Sequence, residues 1–366
     1  MQSTRARARR RRASRKSLYL ATVRVVRWSG IPNKRQSMLE MEQTRYGFLT
    51  KHGAFGAVWY VGAGDVIETY HSGRSHDSKM ILLGMMKPEE KPAPHPTLDI
   101  PMAAVCEAFD KEGQPIRLDT IERLELPVGR YYPRVWRGID AGMNGKLAHE
   151  RHLQTLGERR ACADGIHAAN SLFSELERLF RTVSPAEANY AAYGDKIREL
   201  LILACSEIDT QFRAIYLAND TRMAAGTTGT FKATNMKHYR KLLPLLRLDE
   251  WVVTLKDPNA PWIHNPFRDW PVDSAPDWYK DYNAVKHDRA RARDKANLGN
   301  VIKALAAVHI LQVAQWGPKA FDQSGVDQRS AFTTHKAPRF GVSEQFIVLP
   351  TPYLSGEPLP YFSRSA

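Results

Sequence analysis

The 366-residue chain has few cysteines, no long uninterrupted apolar run and, over its first 37 residues, no acidic side chain. Its three cysteines, Cys106, Cys162 and Cys205, stand far apart without a CxxC pair. That spacing disfavours a disulfide framework and a zinc ribbon and favours a reducing, cytoplasmic location. A run of about 18–20 apolar residues is missing, so the sequence predicts neither a membrane span nor a membrane partner. The 43% of hydrophobic residues are enough for a packed core and exclude a disordered chain.

The acid-free segment at residues 1–37 holds 12 Lys and Arg residues. Subtracting these 12 from the net charge of +14 leaves about +2 for the other 329 residues, so the rest of the protein is nearly neutral. Three interpretations of the segment stay open. Translation starts at Met38 or Met41 or the segment is an inert arm, it is a targeting peptide, or it is an arm that contacts nucleic acid.

Residues 38–144 carry few helical signals and predict a small β or irregular module. Within it, the proline-rich stretch Lys87–Pro101 predicts an extended linker. Residues 318–366 are punctuated by Ser, Pro and Gly and predict an irregular tail. The predicted short strands are Ala57–Val61, Asp65–Tyr70, Ile121–Val128, Arg130–Trp136 and Gln345–Leu349.

Between about residues 145 and 317, apolar residues recur every three or four positions, which predicts helices. The apolar stripes run from Ile166 to Val183, from Ile197 to Ile215 and from Leu298 to Val313, with further helices expected at Asn235–Leu243 and from Asp277. The capping-box pattern Ser184-x-x-Glu187 predicts the start of the second helix, and Gly317-Pro318 predicts the end of the last. The predicted fold is mainly α, a bundle of four or five helices with a small β or irregular N-terminal module.

Common catalytic motifs are missing from the sequence. His149 and His152 are three positions apart instead of the four that the HExxH zinc motif requires. There is no GxSxG, no phosphate loop and no convincing carboxylate dyad. The sequence therefore predicts no metal and no organic cofactor. His309, inside the longest apolar stripe, is predicted to be a hydrogen-bonded core histidine.

The segment Tyr282-Asn283-Ala284-Val285-Lys286-His287 resembles the motif-bearing helix of HEPN (higher eukaryote and prokaryote nucleotide-binding) domains. Their signature is an arginine, four to six residues and then a histidine, often with an asparagine just after the arginine. Asn283 and His287 match this pattern, whereas Tyr282 stands where the arginine is expected. The run Lys196–Ile208 resembles an earlier helix of the same domains.

This resemblance covers about residues 145–317 and implies a HEPN-like bundle that forms a homodimer. In active family members it also implies metal-independent RNA cleavage. In those members a histidine takes the proton from the RNA 2′-hydroxyl or donates one to the leaving oxygen, and a nearby arginine binds the phosphate. In this chain the candidate catalytic residues are His287 and Asn283, and the candidate phosphate-binding residues are Lys286, Arg289 and Lys280.

The resemblance leaves two functions open, and the tyrosine at position 282 favours one of them. Lysine offers a point charge without the bidentate fork of arginine. We therefore expect a catalytically degenerate binding or scaffold protein of a bacterial defence or stress system, with RNA as the possible partner. The alternative is a metal-independent RNA endonuclease that uses His287. A structural role, in which Asn283 and His287 bond each other or cap a neighbouring helix, and binding of another ligand also stay open.

Overall fold

The computed structural model describes eleven ranges of the chain. They are residues 43–61, 67–71, 84–86, 96–127, 129–137, 156–220, 235–260, 263–318, 320–321, 330–346 and 357–364. This part of the protein is mainly α-helical, as the sequence predicts, with seven helices and three small sheets. The basic segment 1–37 and the pair His149 and His152 lie outside the described residues.

The helices and strands are numbered in chain order. The helices are α1 (Ile100–Lys111), α2 (Leu156–Phe180), α3 (Asp195–Ala218), α4 (Met236–Tyr239), α5 (Leu242–Leu246), α6 (Asp277–His287) and α7 (Leu298–Trp316). The strands are β1 (Gln43–Leu49), β2 (Phe55–Val61), β3 (Ile67–His71), β4 (Gly84–Met86), β5 (Glu122–Arg123), β6 (Arg130–Tyr131), β7 (Val252–Leu255), β8 (Phe332–Lys336) and β9 (Glu357–Pro358).

The N-terminal module is an antiparallel five-stranded sheet that packs against α1. Its strand order is β4-β3-β2-β1-β5. Strand β2 confirms the predicted strand at Ala57–Val61, and β3 confirms the predicted strand at Asp65–Tyr70 over its described residues 67–70. Apolar side chains of the sheet share a small core with Met102, Val105 and Phe109 of α1. Burial of these apolar surfaces stabilises the module.

The sequence does not predict α1, because its first turn overlaps the proline-rich stretch Lys87–Pro101. Proline is tolerated in the first helical turn, where its missing N–H would have no partner in the helix. The side chain of Asp99 caps this turn and accepts a hydrogen bond from the backbone N–H of Met102 at 3.0 Å. The linker prediction is therefore wrong at its C-terminal end, and residues 87–95 lie outside the described part of the chain.

Helix α7 lies at the centre of the bundle, and all of its residues except Lys303 are buried. Helices α2, α3 and α6 pack against it. The apolar stripes predicted for α2, α3 and α7 form the buried faces that meet in this core. Helix α7 ends at Trp316 and is followed, as predicted, by Gly317, whose φ of 95° favours glycine, and by Pro318.

By length and mean hydropathy, α7 is apolar enough to cross a membrane. The sequence shows no uninterrupted run of this length, because Asn300, Lys303 and Gln312 interrupt it. However, 94% of its most apolar 18-residue window is buried inside the protein, which is the environment of a core helix in a soluble protein. A cytoplasmic location stays a prediction.

Helix α3 begins later than the capping box at Ser184 predicts. Residues Glu187–Asn189 form a short 3-10 turn instead of the first turn of α3. The chain after this turn is held by the start of α7, where the backbone N–H of Leu298 donates to the carbonyl of Ala192 at 2.9 Å. A capping box is a local signal and carries no information about this long-range pairing.

The tail is more regular than the sequence predicts. Strand β8 pairs with β7 in an antiparallel ladder, and β9 pairs with β6 in parallel. Tyr131, Tyr132 and Val135 belong to the core of the bundle, so the segment 129–137 packs with the helices. The predicted strands at Ile121–Val128 and Arg130–Trp136 are short, and the described residues 345–346 of the predicted strand Gln345–Leu349 are not in a strand.

Candidate functional site

Helix α6 carries the segment that resembles a HEPN motif. Its first residue, Asp277, places a carboxylate at the positive end of the helix dipole. The helix ends at His287, which together with the preceding lysine lies at the negative end of the dipole. The buried face consists of Trp278, Tyr279, Tyr282 and Val285. This spacing fixes α6 against the bundle and leaves the charged residues on its outer face.

Tyr282, at the position where the resemblance expects an arginine, belongs to the core. Only 2% of its surface is exposed. Its ring packs against that of Tyr279 at a centroid distance of 5.1 Å, and Nζ of Lys286 lies 5.5 Å from its centroid. An arginine side chain that followed the same course would bury its charge, at a large cost in solvation. Position 282 is therefore not a place from which a side chain holds a phosphate at the surface.

His287 is exposed and Asn283 is half-buried. Within the described part of the chain, neither side chain forms a hydrogen bond or an ion pair. The two side chains, one helical turn apart, therefore do not bond each other, and no described residue forms a hydrogen bond with the ring of His287. The imidazole is accessible to solvent and to a ligand.

Two of the three predicted phosphate-binding residues form ion pairs. Nζ of Lys280 lies 3.0 Å from Oδ1 of Asp277, and Nη2 of Arg289 lies 3.0 Å from Oδ1 of Asp195. Both pairs are largely exposed, and such pairs contribute about 0–1 kcal/mol to stability. A phosphate can therefore compete with these carboxylates for the two cations.

The third cation, Lys286, lies near a polar contact between α3 and α6. Oη of Tyr279 donates to the carboxylate of Asp209, with distances of 2.7 and 2.8 Å to the two oxygens. Burial raises the pKa of Asp209, while the bond from Tyr279 and the charge of Lys286 oppose the rise. Burial also raises the pKa of Tyr279. Lys286 thus faces a carboxylate and an aromatic ring, and every predicted phosphate-binding residue has an acidic side chain nearby.

A polar cluster, formed by the half-buried Arg134 and the buried Gln211 and Gln315, was not predicted from the sequence. Nε of Arg134 donates to Gln315 at 2.7 Å and Nη2 donates to Gln211 at 2.8 Å, and the guanidinium lies 5.1 Å from the centre of the Trp316 ring. Burial lowers the pKa of Arg134 to about 10. Its φ of 56° is unusual for a residue other than glycine and stores backbone strain. The cluster joins the segment 129–137 to α3 and α7.

Gly165 of α2 lies directly against the side chains of Gln211 and Gln312, where a larger residue would clash. A Cβ at position 165 would lie 2.8 Å from Oε1 of Gln312 and 3.2 Å from Nε2 of Gln211. Nε2 of Gln211 donates to Glu207, and burial raises the pKa of Glu207. Polar contacts in the cluster join α3 to α7, and the missing side chain of Gly165 lets α2 pack closely beside them. Gln312 and Gln315, which interrupt the apolar stripe of α7, are the signal that could have revealed it.

His309 is a hydrogen-bonded core histidine, as predicted. Nδ1 lies 2.7 Å from Oγ of Ser330 and Nε2 lies 3.1 Å from Oγ1 of Thr334. The ring stacks on that of Phe321 at a centroid distance of 4.9 Å. Burial, with a smaller effect from the charge of Lys256, lowers the pKa of His309 to about 3. The imidazole is therefore neutral at physiological pH.

The geometry defines a mainly α protein with an open, mixed-charge surface around α6. Among the described residues, no three His, Cys, Asp or Glu side chains come together as a set of metal ligands. No family model, no curated protein and no solved structure matches the chain. The resemblance to HEPN domains, which rests on the residues of α3 and α6, stays a prediction.

Proposed function

We propose that the chain is a HEPN-like helical binding and scaffold protein, of a bacterial defence or stress system, that contacts RNA without cutting it. The observation that carries the proposal is the burial of Tyr282, which is 2% exposed. The defence or stress setting and the homodimer rest on the resemblance alone. Sedimentation equilibrium of the full chain tests the dimer, and a monomer at micromolar concentration contradicts it.

The absence of cleavage follows from how RNA hydrolysis works. The reaction needs a proton acceptor at the 2′-hydroxyl and a cation that stabilises the charge that develops on the phosphate. His287 is exposed, but the position expected for arginine lies in the core. Without a positioned guanidinium, a phosphate beside His287 lacks most of the stabilisation that catalysis requires.

The contact with RNA follows from the cations on and after α6. Between positions 277 and 295 there are six basic and four acidic residues, in a protein that is otherwise nearly neutral outside its first 37 residues. We define the α6 surface by the exposed cations Lys280, Lys286, Arg289, Arg291 and Arg293. Exposed lysine and arginine side chains bind phosphates and release counterions, which favours association with RNA.

The experiment measures cleavage and binding of a labelled single-stranded RNA by the full chain in EDTA. We expect intact RNA with the wild type and with His287→Ala, and weaker binding by Arg293→Ala than by the wild type. Arg293 is exposed and forms no ion pair within 4.0 Å among the described residues, so its charge is available to a phosphate. Arg117→Ala, on the N-terminal module, is the matched control for the loss of one charge.

Each outcome bears on one part of the proposal. Cleavage by the wild type that His287→Ala abolishes would overturn the proposal and establish the alternative, a metal-independent ribonuclease. The exposed His287 ring, free of partners in the described chain, is the observation that favours this alternative. Equal affinities of Arg293→Ala and Arg117→Ala would refute the RNA contact at the α6 surface. The basic segment 1–37 is common to all variants and produces no difference between them.

A further inference from the structure

The carboxylate of Asp195 lies between two arginines from distant parts of the chain. Its Oδ1 is 3.0 Å from Nη2 of Arg289, which follows α6, and 3.8 Å from Nε of Arg198, one turn into α3. Tyr279, near the start of α6, contacts Asp209, which lies about four turns further along α3 than Asp195, so α3 and α6 run in opposite directions. This arrangement brings both guanidinium groups to one oxygen atom.

Arg198 has unused capacity to donate at this place. Its side chain is 25% exposed, and its buried Nε has no hydrogen-bond partner within the described residues. At 3.8 Å, the Nε of Arg198 is too far from Asp195 for a hydrogen bond. Because Asp195 is part of α3, the position of its carboxylate is restricted. The carboxylate forms a close ion pair with Arg289 but does not come within hydrogen-bond distance of Arg198.

A phosphate oxygen has the same sign of charge and the same capacity to accept hydrogen bonds as a carboxylate oxygen. Arginine binds both groups through charge-assisted hydrogen bonds. A phosphodiester that replaced Asp195 at this place would not be tied to α3, and it could approach both arginines closely. Asp195 is 63% exposed and Arg289 is 62% exposed, so the carboxylate can turn into solvent at little cost.

We propose that Arg198 and Arg289 form a phosphate-binding subsite for single-stranded RNA and that the carboxylate of Asp195 occupies it in the unbound protein. The proposal rests on the RNA contact proposed above and adds Arg198, which has no role in that contact. Asp195 acts as an internal competitor that lowers the affinity of the subsite. No bond is made or broken, because the exchange replaces one anionic oxygen with another.

The test measures binding of a labelled single-stranded RNA to full-length variants by fluorescence anisotropy. We expect Asp195→Asn to bind about two- to fivefold more tightly than the wild type, since the competing exposed ion pair is weak. Because Asp195→Asn gains one phosphate contact, its plot of the logarithm of the RNA association constant against the logarithm of the salt concentration should be steeper than that of the wild type by about 0.7. Arg198→Ala should weaken binding, and Asp195→Glu should bind as the wild type does.

The N-terminal module offers a control with the same change in charge. Nη2 of Arg117 lies 2.7 Å from Oδ2 of Asp119, so Asp119→Asn also removes one negative charge and frees one arginine. We expect no comparable gain in affinity from this variant. The thermal midpoint of each variant shows whether it is folded under the conditions of the assay.

The outcomes separate this proposal from the one on which it rests. If Arg293→Ala weakens binding but Asp195→Asn gains no more than Asp119→Asn, the subsite is refuted and the RNA contact stands. An unchanged affinity of Arg198→Ala also overturns the subsite. If Arg293→Ala binds as the Arg117→Ala control does, the proposed RNA contact itself fails.

Discussion

We expect the His309→Gln variant to lose part of the acid sensitivity of the wild-type protein. Burial lowers the pKa of this histidine from 6.5 to about 3 in the folded state. In the unfolded chain the ring takes up a proton as the pH falls through about 6.5, whereas the folded ring stays neutral down to about 3. In this window the unfolded state binds more protons, so the free energy of unfolding falls as the pH falls, by up to about 1.4 kcal/mol per pH unit.

Between pH 7 and pH 5 this effect amounts to about 2 kcal/mol, because most of the change lies below the unfolded pKa of about 6.5. Glutamine does not titrate, and its amide can still bond the hydroxyls of Ser330 and Thr334. The variant has its own cost at pH 7, from the lost stacking on Phe321, but that cost does not depend on pH. The wild type should therefore lose about 2 kcal/mol more than the variant over these two pH units.

Urea unfolding, followed by tryptophan fluorescence at pH 7, 6 and 5, measures this difference. The other 11 histidines are common to both proteins, so their titration cancels in the comparison. His335→Gln, on the exposed part of β8, is the matched control and should lose as much stability as the wild type. Equal losses in the wild type and in His309→Gln would contradict the reasoning that burial keeps His309 neutral.

Two further substitutions test the polar contacts between the helices. Gly165→Ala places a methyl group 2.8 Å from Oε1 of Gln312, and we expect a loss of about 1–3 kcal/mol as a lower urea midpoint. Gly194→Ala, where a Cβ meets nothing within 4 Å, should change the midpoint little, and equal shifts for both would argue against the clash. Tyr279→Phe removes the bond to the partly buried Asp209 and should cost about 1–3 kcal/mol. Asp209→Asn should lower the free energy of unfolding less in the Tyr279→Phe variant than in the wild type. Additive losses in this double-mutant cycle would therefore exclude the contact.

Much of the helical core could be predicted from the sequence, because its signal repeats many times within one element. The stripe from Ile197 to Ile215 and the stripe from Leu298 to Val313 each extend over several turns. A period of 3.6 residues sustained for that length is hard to produce by chance. The boundaries were less predictable, since the segment just before α3 pairs with Leu298, which lies far away in the chain.

Helix α1 and the strands of the tail were not predicted from the sequence, for a different reason. The sequence around Asp99 and Pro101 contains both a cap and a proline, and the two signals are compatible with a helix start as well as with a linker. Strands β8 and β9 are short, and each exists because a partner strand from a distant part of the chain satisfies its backbone. Such pairing is a tertiary property that a local pattern does not report.

The residue types of the candidate site can be identified from the sequence, but the contacts and burial of these residues can be known only from the fold. The sequence places Asn283 and His287 one turn apart and shows that a tyrosine replaces the expected arginine. It does not show that Arg289 meets Asp195, because 94 residues separate them along the chain. The same holds for Arg134, whose partners lie on α3 and α7.

The sequence by itself determined that the charge excess lies in residues 1–37, that a mainly helical core follows, and that no arginine stands at position 282. Composition, periodicity and residue identity are properties of the chain and need no folding. Only the tertiary structure decided that Tyr282 is buried, that His287 is exposed and that Asp195 lies between two arginines. Burial and contact depend on which distant segments pack together, and a one-dimensional pattern does not contain that information.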